Sequence, residues 1–252
     1  MVKIFVRESP SPSGVLHLDR NLKKRLIKVM RLHAGDTVAV YSDGKRYECR
    51  IEKVLPDSID LQVIRQLREA QTGGLQIAIA QAIPKGDKFE WLIQKATELG
   101  AAEIFPLFTT RTVVKSANLI AKLQRWNEIA EHAAGQSENL YPPVIHPAAT
   151  LNEFLANEPS GMKLLLHERE SANDLRSAIE HHAGERITIA VGPEGGWTAE
   201  ETANLVHAGF CKIHLGDRIL RAETAGLALL AILQYELGEL GSKSPAKKEA
   251  EN

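Results

Sequence analysis

From residue 75 onward, short apolar runs alternate with amphipathic stretches. The segments "LQIAIAQAI", "AEIFPLFTT", "MKLLLHE", "RITIAVG" and "CKIHLG" have the length of strands and are separated by helical patterns. The first helix, "GDKFEWLIQKATELG", puts Phe89, Leu92, Ile93, Ala96 and Leu99 on one face. Asp87 and Glu90 give it a capping-box-like start, and Gly100 is placed to end it. A long helix follows through Leu123, Trp126, Ala130 and Ala133, and a short one starts at Thr150 with Glu153 in capping register. Two more are expected near 172–182 and 199–208. Such alternation predicts a mostly parallel sheet with helices on both faces, an α/β fold that binds ligands outside the carboxyl ends of its strands.

The residues ahead of this region read as β-rich. "TVAVYSDGKRYECRI" alternates Val38 and Val40 with Tyr47, Cys49 and Ile51 across Asp43-Gly44, a dipeptide that favours a type I′ hairpin. "SIDLQVIRQL" repeats the period with Ile59, Leu61 and Val63, and "KIFVRE" supplies a strand at the start. Between them, "RNLKKRLIKVMRL" puts Leu22, Leu26 and Val29 on one helical face, and Arg20, Lys24, Lys28 and Arg31 on another. The expectation is a small β-barrel carrying a basic helix, which is either a solvated face or a nucleic-acid surface. The polar stretch "REAQTGG" at 68–74 marks a boundary, giving a first domain over 1–72, a second over 73–240 and a disordered tail over 241–252.

Charge sharpens that division. The net charge of −1 conceals 14 Lys and Arg against 9 Asp and Glu in residues 1–72, and 17 against 23 in the remainder, so the two domains are expected to meet different partners. With 44% hydrophobic and 25% charged residues the chain is of ordinary globular composition. Cys49 and Cys211 stand far apart without a CxxC pairing, which argues against a disulfide framework and a cysteine zinc site. No apolar stretch approaches the roughly 20 residues of a membrane span, and the N-terminus lacks the pattern of a secretory signal. A cytoplasmic protein without a membrane partner is expected. The nine histidines show no metal-ligand spacing, and His181-His182 reads as an exposed helix end.

Two stretches carry candidate chemistry. In "VGPEGGWTAEE", residues 191–201, Gly192 to Gly196 follow a strand directly, and Thr198 with Glu201 caps the next helix. The glycines place bare backbone at a ligand-binding edge, or else make only a tight strand-to-helix turn. The chain has neither GxxxxGK[ST] nor GxGxxG, and Glu194 would repel a phosphate, so a ligand with adenine, ribose and a cationic centre suits the site better. In "HLGDRILRAETAGLALLAILQYELGEL", a Gly-Asp loop with two arginines precedes a helix starting near Ala222. Ala225 to Leu237 is apolar almost all round, which fits a core helix or a packing surface for a second subunit; the subunit contact is favoured.

Those two stretches, with "PKGDKFEWLIQKATELGAAEIFPLFTTRTVV" and "VMRLHAGDTVAVY", resemble the bacterial 16S ribosomal RNA (uracil-N3) methyltransferases, a branch of the SPOUT superfamily, over residues 1 to about 240. The resemblance implies a PUA-like barrel that binds RNA, a C-terminal domain with a deep trefoil knot, and a homodimer formed through that domain. It implies S-adenosylmethionine as methyl donor without a metal, and N3 of uridine 1498 of 16S rRNA in the small ribosomal subunit as the acceptor. Carried over to this chain, the cofactor pocket is Leu166 and His167, then Gly192, Pro193, Glu194, Gly195 and Gly196, then Leu215, Gly216, Ile219, Leu220 and Arg221. Two departures stand out. "GQSENLYPP" places Gly135 and Asn139 where the family has an acid and an arginine, and Lys24-Arg25 replace two histidines in the basic helix, whose RNA-binding set is Arg20, Lys24, Arg25, Lys28 and Arg31.

Attack by uracil N3 on a sulfonium methyl requires the N3 proton to leave and charge to build on O2 and O4. Arg218 and Arg221 are candidate donors to that charge, with Arg111 of "TTRTVVK" as a third. Glu223 is available as a base, or as a helix cap or arginine partner. Other readings that stay open are a SPOUT methyltransferase with another RNA target and a non-catalytic RNA-binding protein; the missing GxGxxG disfavours a nucleotide-dependent oxidoreductase.

Overall fold

Two sheets organise the chain in the computed structural model, which describes residues 1–6, 8–69, 74–112, 119–157, 160–167, 175–180, 186–238 and 240. They belong to two compact units, residues 1–72 with 131–142, and residues 73–130 with 143–252. Part of the 68–74 boundary, His181-His182, the ends of the 172–182 helix and the 241–252 tail lie outside the described residues.

The first unit is built on β1 (Val2–Phe5), β2 (Val15–Leu18), β3 (Thr37–Ser42), β4 (Lys45–Val54) and β5 (Ile59–Glu69), in the order β1-β3-β4-β5-β2. All neighbours are antiparallel except β1 and β3. The β3–β4 hairpin turns at Asp43 (φ 46°) and Gly44 (φ 68°), the paired positive dihedrals of a type I′ turn. Alternate residues of every strand, among them Ile4, Leu16, Val38, Cys49 and Leu61, meet in one core. Burial pushes the Cys49 thiol up to about 12, so it is an inert core group.

The basic helix differs from its expected form. Its α-helical part, α1 (Arg20–Lys23), lasts one turn before the backbone widens into a π-helical segment, Lys24–Val29. The wider turn changes which side chains share a face. Leu26 is fully buried and Ile27 and Met30 pack against the core, whereas Val29, expected beside Leu26, is 70% exposed. Arg20, Lys24, Lys28 and Arg31 remain exposed, and Arg31 closes the segment in the left-handed region at φ 55°.

Residues 131–142 were expected in the second domain, yet they group with the first unit because Leu140 packs with Phe5, Ala39 and Tyr41. The Tyr141 hydroxyl sits 2.0 Å from where a Cβ on Gly44 would lie, so glycine there serves both the turn and the contact. Of the two departures, Gly135 lies against Phe5 and Lys3, and the Asn139 side chain accepts from the Tyr141 N–H at 3.0 Å.

In the second unit, β6 (Gln76–Ala82), β7 (Glu103–Phe108), β8 (Val144–Ile145), β10 (Met162–Leu166), β11 (Arg186–Val191) and β12 (Cys211–Ile213) form a sheet in the order β12-β10-β11-β6-β7-β8, with β9 (Ala149–Thr150) also on β7. Every pair is parallel. The helices are α2 (Lys88–Glu98), α3 (Leu119–Ser137, whose last turns count with the first unit), α4 (Leu151–Ala156), α5 (Leu175–Ile179), α6 (Ala199–His207) and α7 (Ala222–Glu236). Thr150 with Glu153 and Thr198 with Glu201 make complete capping boxes. Asp87 precedes α2 but its side chain makes no cap bond, since its backbone (φ −87°, ψ 5°) lacks the extended form that aims a cap inward. Glu90 pairs instead with Arg125 at 3.5 Å. Gly100, at φ 81°, ends α2 as expected.

α7 is a core helix. Leu227, Leu229, Leu230 and Leu233 are buried within the chain's own core, each stabilising the fold by about 1.5–3 kcal/mol. Of the two readings of α7, the core helix accounts for most of its apolar residues, and the surface left for a subunit contact reduces, among the described residues, to the exposed large apolar side chains Ile232 and Tyr235.

Candidate active site

The carboxyl ends of β7, β10, β11 and β12 open onto one cavity of about 400 Å³. Leu166 and His167 line it from the end of β10, Gly192, Pro193, Glu194, Gly195 and Gly196 from the loop after β11, and Leu215, Gly216, Ile219, Leu220 and Arg221 from the loop after β12. Arg111, beyond β7, and Arg218 also line it. The sheet order makes this convergence. β11 lies between β6 and β10, while β12 continues beyond β10, so loops far apart in sequence exit side by side. The His167 N–H donates to the Ile213 carbonyl at 3.0 Å, carrying the β10–β12 pairing one step into the loops.

The loop after β11 is held in place from several sides. The Gly196 N–H donates to the Pro193 carbonyl at 2.8 Å, and Gly196 takes φ 70°, which side chains rarely adopt. A Cβ on Gly192 would come within 3.0 Å of the Trp197 indole, which closes one wall. Gly195 is under a different constraint: a Cβ there would lie 3.2 Å from Cδ of Arg111, whose guanidinium donates to the Gly195 carbonyl. Arg111 is aimed by its neighbour, because Glu201 accepts from the Thr110 N–H at 2.7 Å and from the Thr198 N–H at 2.9 Å. Burial opposes the charge on Glu201, but these bonds prevail and hold its carboxyl below the usual range.

Glu194 is the one carboxylate lining the cavity among the described residues. It accepts from the Lys85 N–H at 3.4 Å and lies 3.6 Å from Lys88 Nζ. Here too burial works against the charge, and the backbone donors with Lys88 outweigh it, so the carboxyl sits below its usual range and is ionised at neutral pH. Lys88 also lies 3.3 Å from Glu223. Glu223, a candidate base from sequence, does not line the cavity; it is buried at the start of α7, pairs with a lysine rather than an arginine, and makes no side-chain cap.

Arg218 and Arg221 are exposed and make no ion pair among the described residues, which leaves their donors for a ligand. Trp197, His214, Ala222 and Ala225 also line the cavity without having been anticipated. Trp197 directly follows the glycine run, and that adjacency was the available signal. The Lys88 bridge had none, since its two carboxylates are distant in sequence. The basic set Arg20, Lys24, Arg25, Lys28 and Arg31 lies in the first unit. Among the described residues no group of three or more His, Cys, Asp or Glu could hold a metal, and no helix is long and apolar enough to cross a membrane.

Comparison with known proteins gives this geometry a lineage. The family model described as an RNA methyltransferase domain matches residues 71–234. Ribosomal RNA small subunit methyltransferase E of Bacillus subtilis is 34% identical over 220 residues, covering 84% of this chain and 86% of the relative. The enzyme of the same name from Rickettsia conorii is 33% identical over 95% of this chain and 96% of its own length. The crystal structure of the Neisseria gonorrhoeae enzyme of that name, bound to S-adenosylmethionine, superposes with a TM-score of 0.83 at 31% identity, covering 96% of this chain and all of that one. The chain belongs to the RNA methyltransferase family, in its ribosomal RNA small subunit methyltransferase E branch.

Proposed function

We propose that the chain transfers a methyl group from S-adenosylmethionine to N3 of uridine 1498 in 16S rRNA, on the small ribosomal subunit. The observation that carries this reading is the cavity itself, where a glycine-rich backbone loop, one ionised carboxylate and two unpaired arginines converge. Its volume falls among small-molecule sites, which span roughly 300–1,000 Å³. The residues present fit the cofactor: Gly192 to Gly196 and Leu215 to Gly216 offer main-chain groups to adenine and ribose, and Glu194 offers the negative charge a cationic centre needs.

Bound there, S-adenosylmethionine supplies a methyl group on a positively charged sulfur. The protein's work is alignment and charge. Fixing the base against that methyl supplies up to roughly 7–11 kcal/mol of the barrier. As N3 gives its proton to solvent water, negative charge spreads to O2 and O4, and Arg218 and Arg221 donate to it; one such donor contributes about 10²–10³-fold. Arg111 shapes the loop through Gly195, and Glu223 with Lys88 fixes the start of α7.

The basic segment of the first unit guides the RNA. The second unit carries the trefoil knot of its family and pairs with a second copy through the exposed strip of α7, and the protein works in the cytoplasm, where its substrate is. Tyr235→Glu, at a residue 68% exposed, is expected to shift the protein towards monomer in sedimentation without unfolding it; an undiminished dimer would remove α7 from the interface.

The function itself is tested by incubating unmodified small subunits with the protein and methyl-labelled S-adenosylmethionine, then mapping modified nucleosides. Label is expected as 3-methyluridine in the fragment holding uridine 1498. Label elsewhere would assign another RNA target, and RNA binding without transfer would make the chain a non-catalytic binder.

A further inference from the structure

Where the chain leaves α3, Glu138 adopts a left-handed backbone at φ 58°, a conformation that costs free energy for any side chain but glycine. The residue is ringed by cations of the first unit. Its carboxylate lies 3.0 Å from Arg46 Nη1 and 3.5 Å from Lys3 Nζ, and its backbone carbonyl accepts from Arg68 Nη1 at 3.4 Å. Arg46 and Arg68 are direct cross-strand partners on β4 and β5, an arrangement that sets like charges against each other and weakens a sheet unless an anion lies between them. Two cations therefore share the Glu138 carboxylate and a third holds its backbone carbonyl, so three positive charges gather at a residue that supplies one negative charge.

Arg46 is built into the surface and is not a loose side chain. It is only 18% exposed, and its guanidinium lies over the Tyr41 ring at 5.7 Å. Among the described residues its buried Nε has no hydrogen-bond partner. A guanidinium presents a planar fork that phosphate engages through two N–H groups, and the Glu138 carboxylate lies 3.0 Å from one arm of that fork, Nη1. Arg46 above all, with Lys3, holds the Glu138 carboxyl below its usual range, so it is an anion at neutral pH.

We propose that Lys3, Arg46 and Arg68 form a phosphate cradle for the RNA backbone, separate from the basic helical segment, and that Glu138 fills it until RNA displaces the carboxylate. The inference rests on the rRNA-methylating reading above. Glu138 then acts as an internal competitor. It holds two facing arginines together in the free protein and sets a threshold that a weakly held RNA does not cross.

The test measures binding of the full-length protein to small ribosomal subunits over a range of salt, beside S-adenosylmethionine affinity and methyl transfer. Glu138→Gly removes the competitor and suits the left-handed backbone. It is expected to tighten RNA binding about two- to fivefold at low salt, the size of an exposed ion pair, and to steepen the slope of log affinity against log salt by about 0.7–0.9. Arg46→Gln is expected to weaken binding, and to abolish the gain when combined with Glu138→Gly, with cofactor affinity constant throughout. Unchanged or weaker RNA binding in Glu138→Gly, or a gain that survives Arg46→Gln, would overturn the cradle while leaving the methyltransferase intact. A wild-type protein that neither binds nor methylates small subunits would overturn the function and the cradle together.

Discussion

The cofactor cavity and the basic segment of the first unit are specified by different physical means. Around the cavity the determinants are backbone features: the φ of 70° at Gly196, the space left open at Gly192, the Gly195 carbonyl held by Arg111, and the cap at Thr198. Each is tied to a residue type at a fixed place in the chain. In the basic segment the determinant is rotational phase, which depends on helix pitch. A change to the π-helical turn over Lys24–Val29 rotates every later side chain. A site written in backbone therefore survives changes in its surroundings that redistribute a charge stripe.

The comparison breaks most sharply at Arg218. If the cavity's backbone binds the cofactor and its free arginines serve the reacting base, Arg218→Ala is expected to lower kcat by roughly 10²-fold or more with cofactor affinity nearly unchanged. Lost cofactor binding at an unchanged saturating rate would move this arginine into the binding set.

Glu201 probes the scaffold behind the loop. Glu201→Gln is expected to cost about 1–3 kcal/mol of stability at neutral pH, because the charge accepting two backbone N–H groups is lost. Since the fold holds this carboxyl below its usual range, its contribution is present above the unfolded value and is lost as pH falls through the folded one. The gap between wild type and variant, read by denaturant melts, is thus expected to close on acidification below about pH 4. A gap that widens there would contradict the assignment.

Much of the second unit was legible because strand alternation and capping boxes are local. Thr150 with Glu153, Thr198 with Glu201 and the ending at Gly100 all needed only short-range spacing. What escaped depends on distant partners. The apolar α7 could be read as a core helix or as a subunit contact, and only the tertiary structure shows that Leu230 is fully buried against elements far away in sequence. Glu223 was open between a base, a helix cap and an arginine partner, and its ion pair with Lys88 at 3.3 Å joins residues far apart in sequence. Val29 and Asp87 failed for a third reason, since periodicity and cap spacing presume regular backbone and neither residue has it.

The smallest effect belongs to the basic segment. Lys24→Ala with Lys28→Ala is expected to weaken RNA binding at low salt and to flatten the log affinity against log salt slope by about 1–2, with cofactor affinity unchanged. A wild-type slope would make this a solvated face and leave RNA docking to other surfaces.

The central claim, that the loop after β11 holds S-adenosylmethionine through its backbone, is tested most directly by calorimetric titration of the cofactor into wild type and Gly195→Val. Gly195 does not need a left-handed backbone, so the variant keeps the fold; its side chain meets Arg111, whose Cδ lies 3.2 Å from the Cβ position, and crowds the cavity. Wild type is expected to bind one cofactor per chain, and the variant, with unchanged thermal stability, to bind at least about tenfold more weakly, a loss of roughly 1.4 kcal/mol. Equal affinity in the two proteins, or no binding in wild type, would contradict the account.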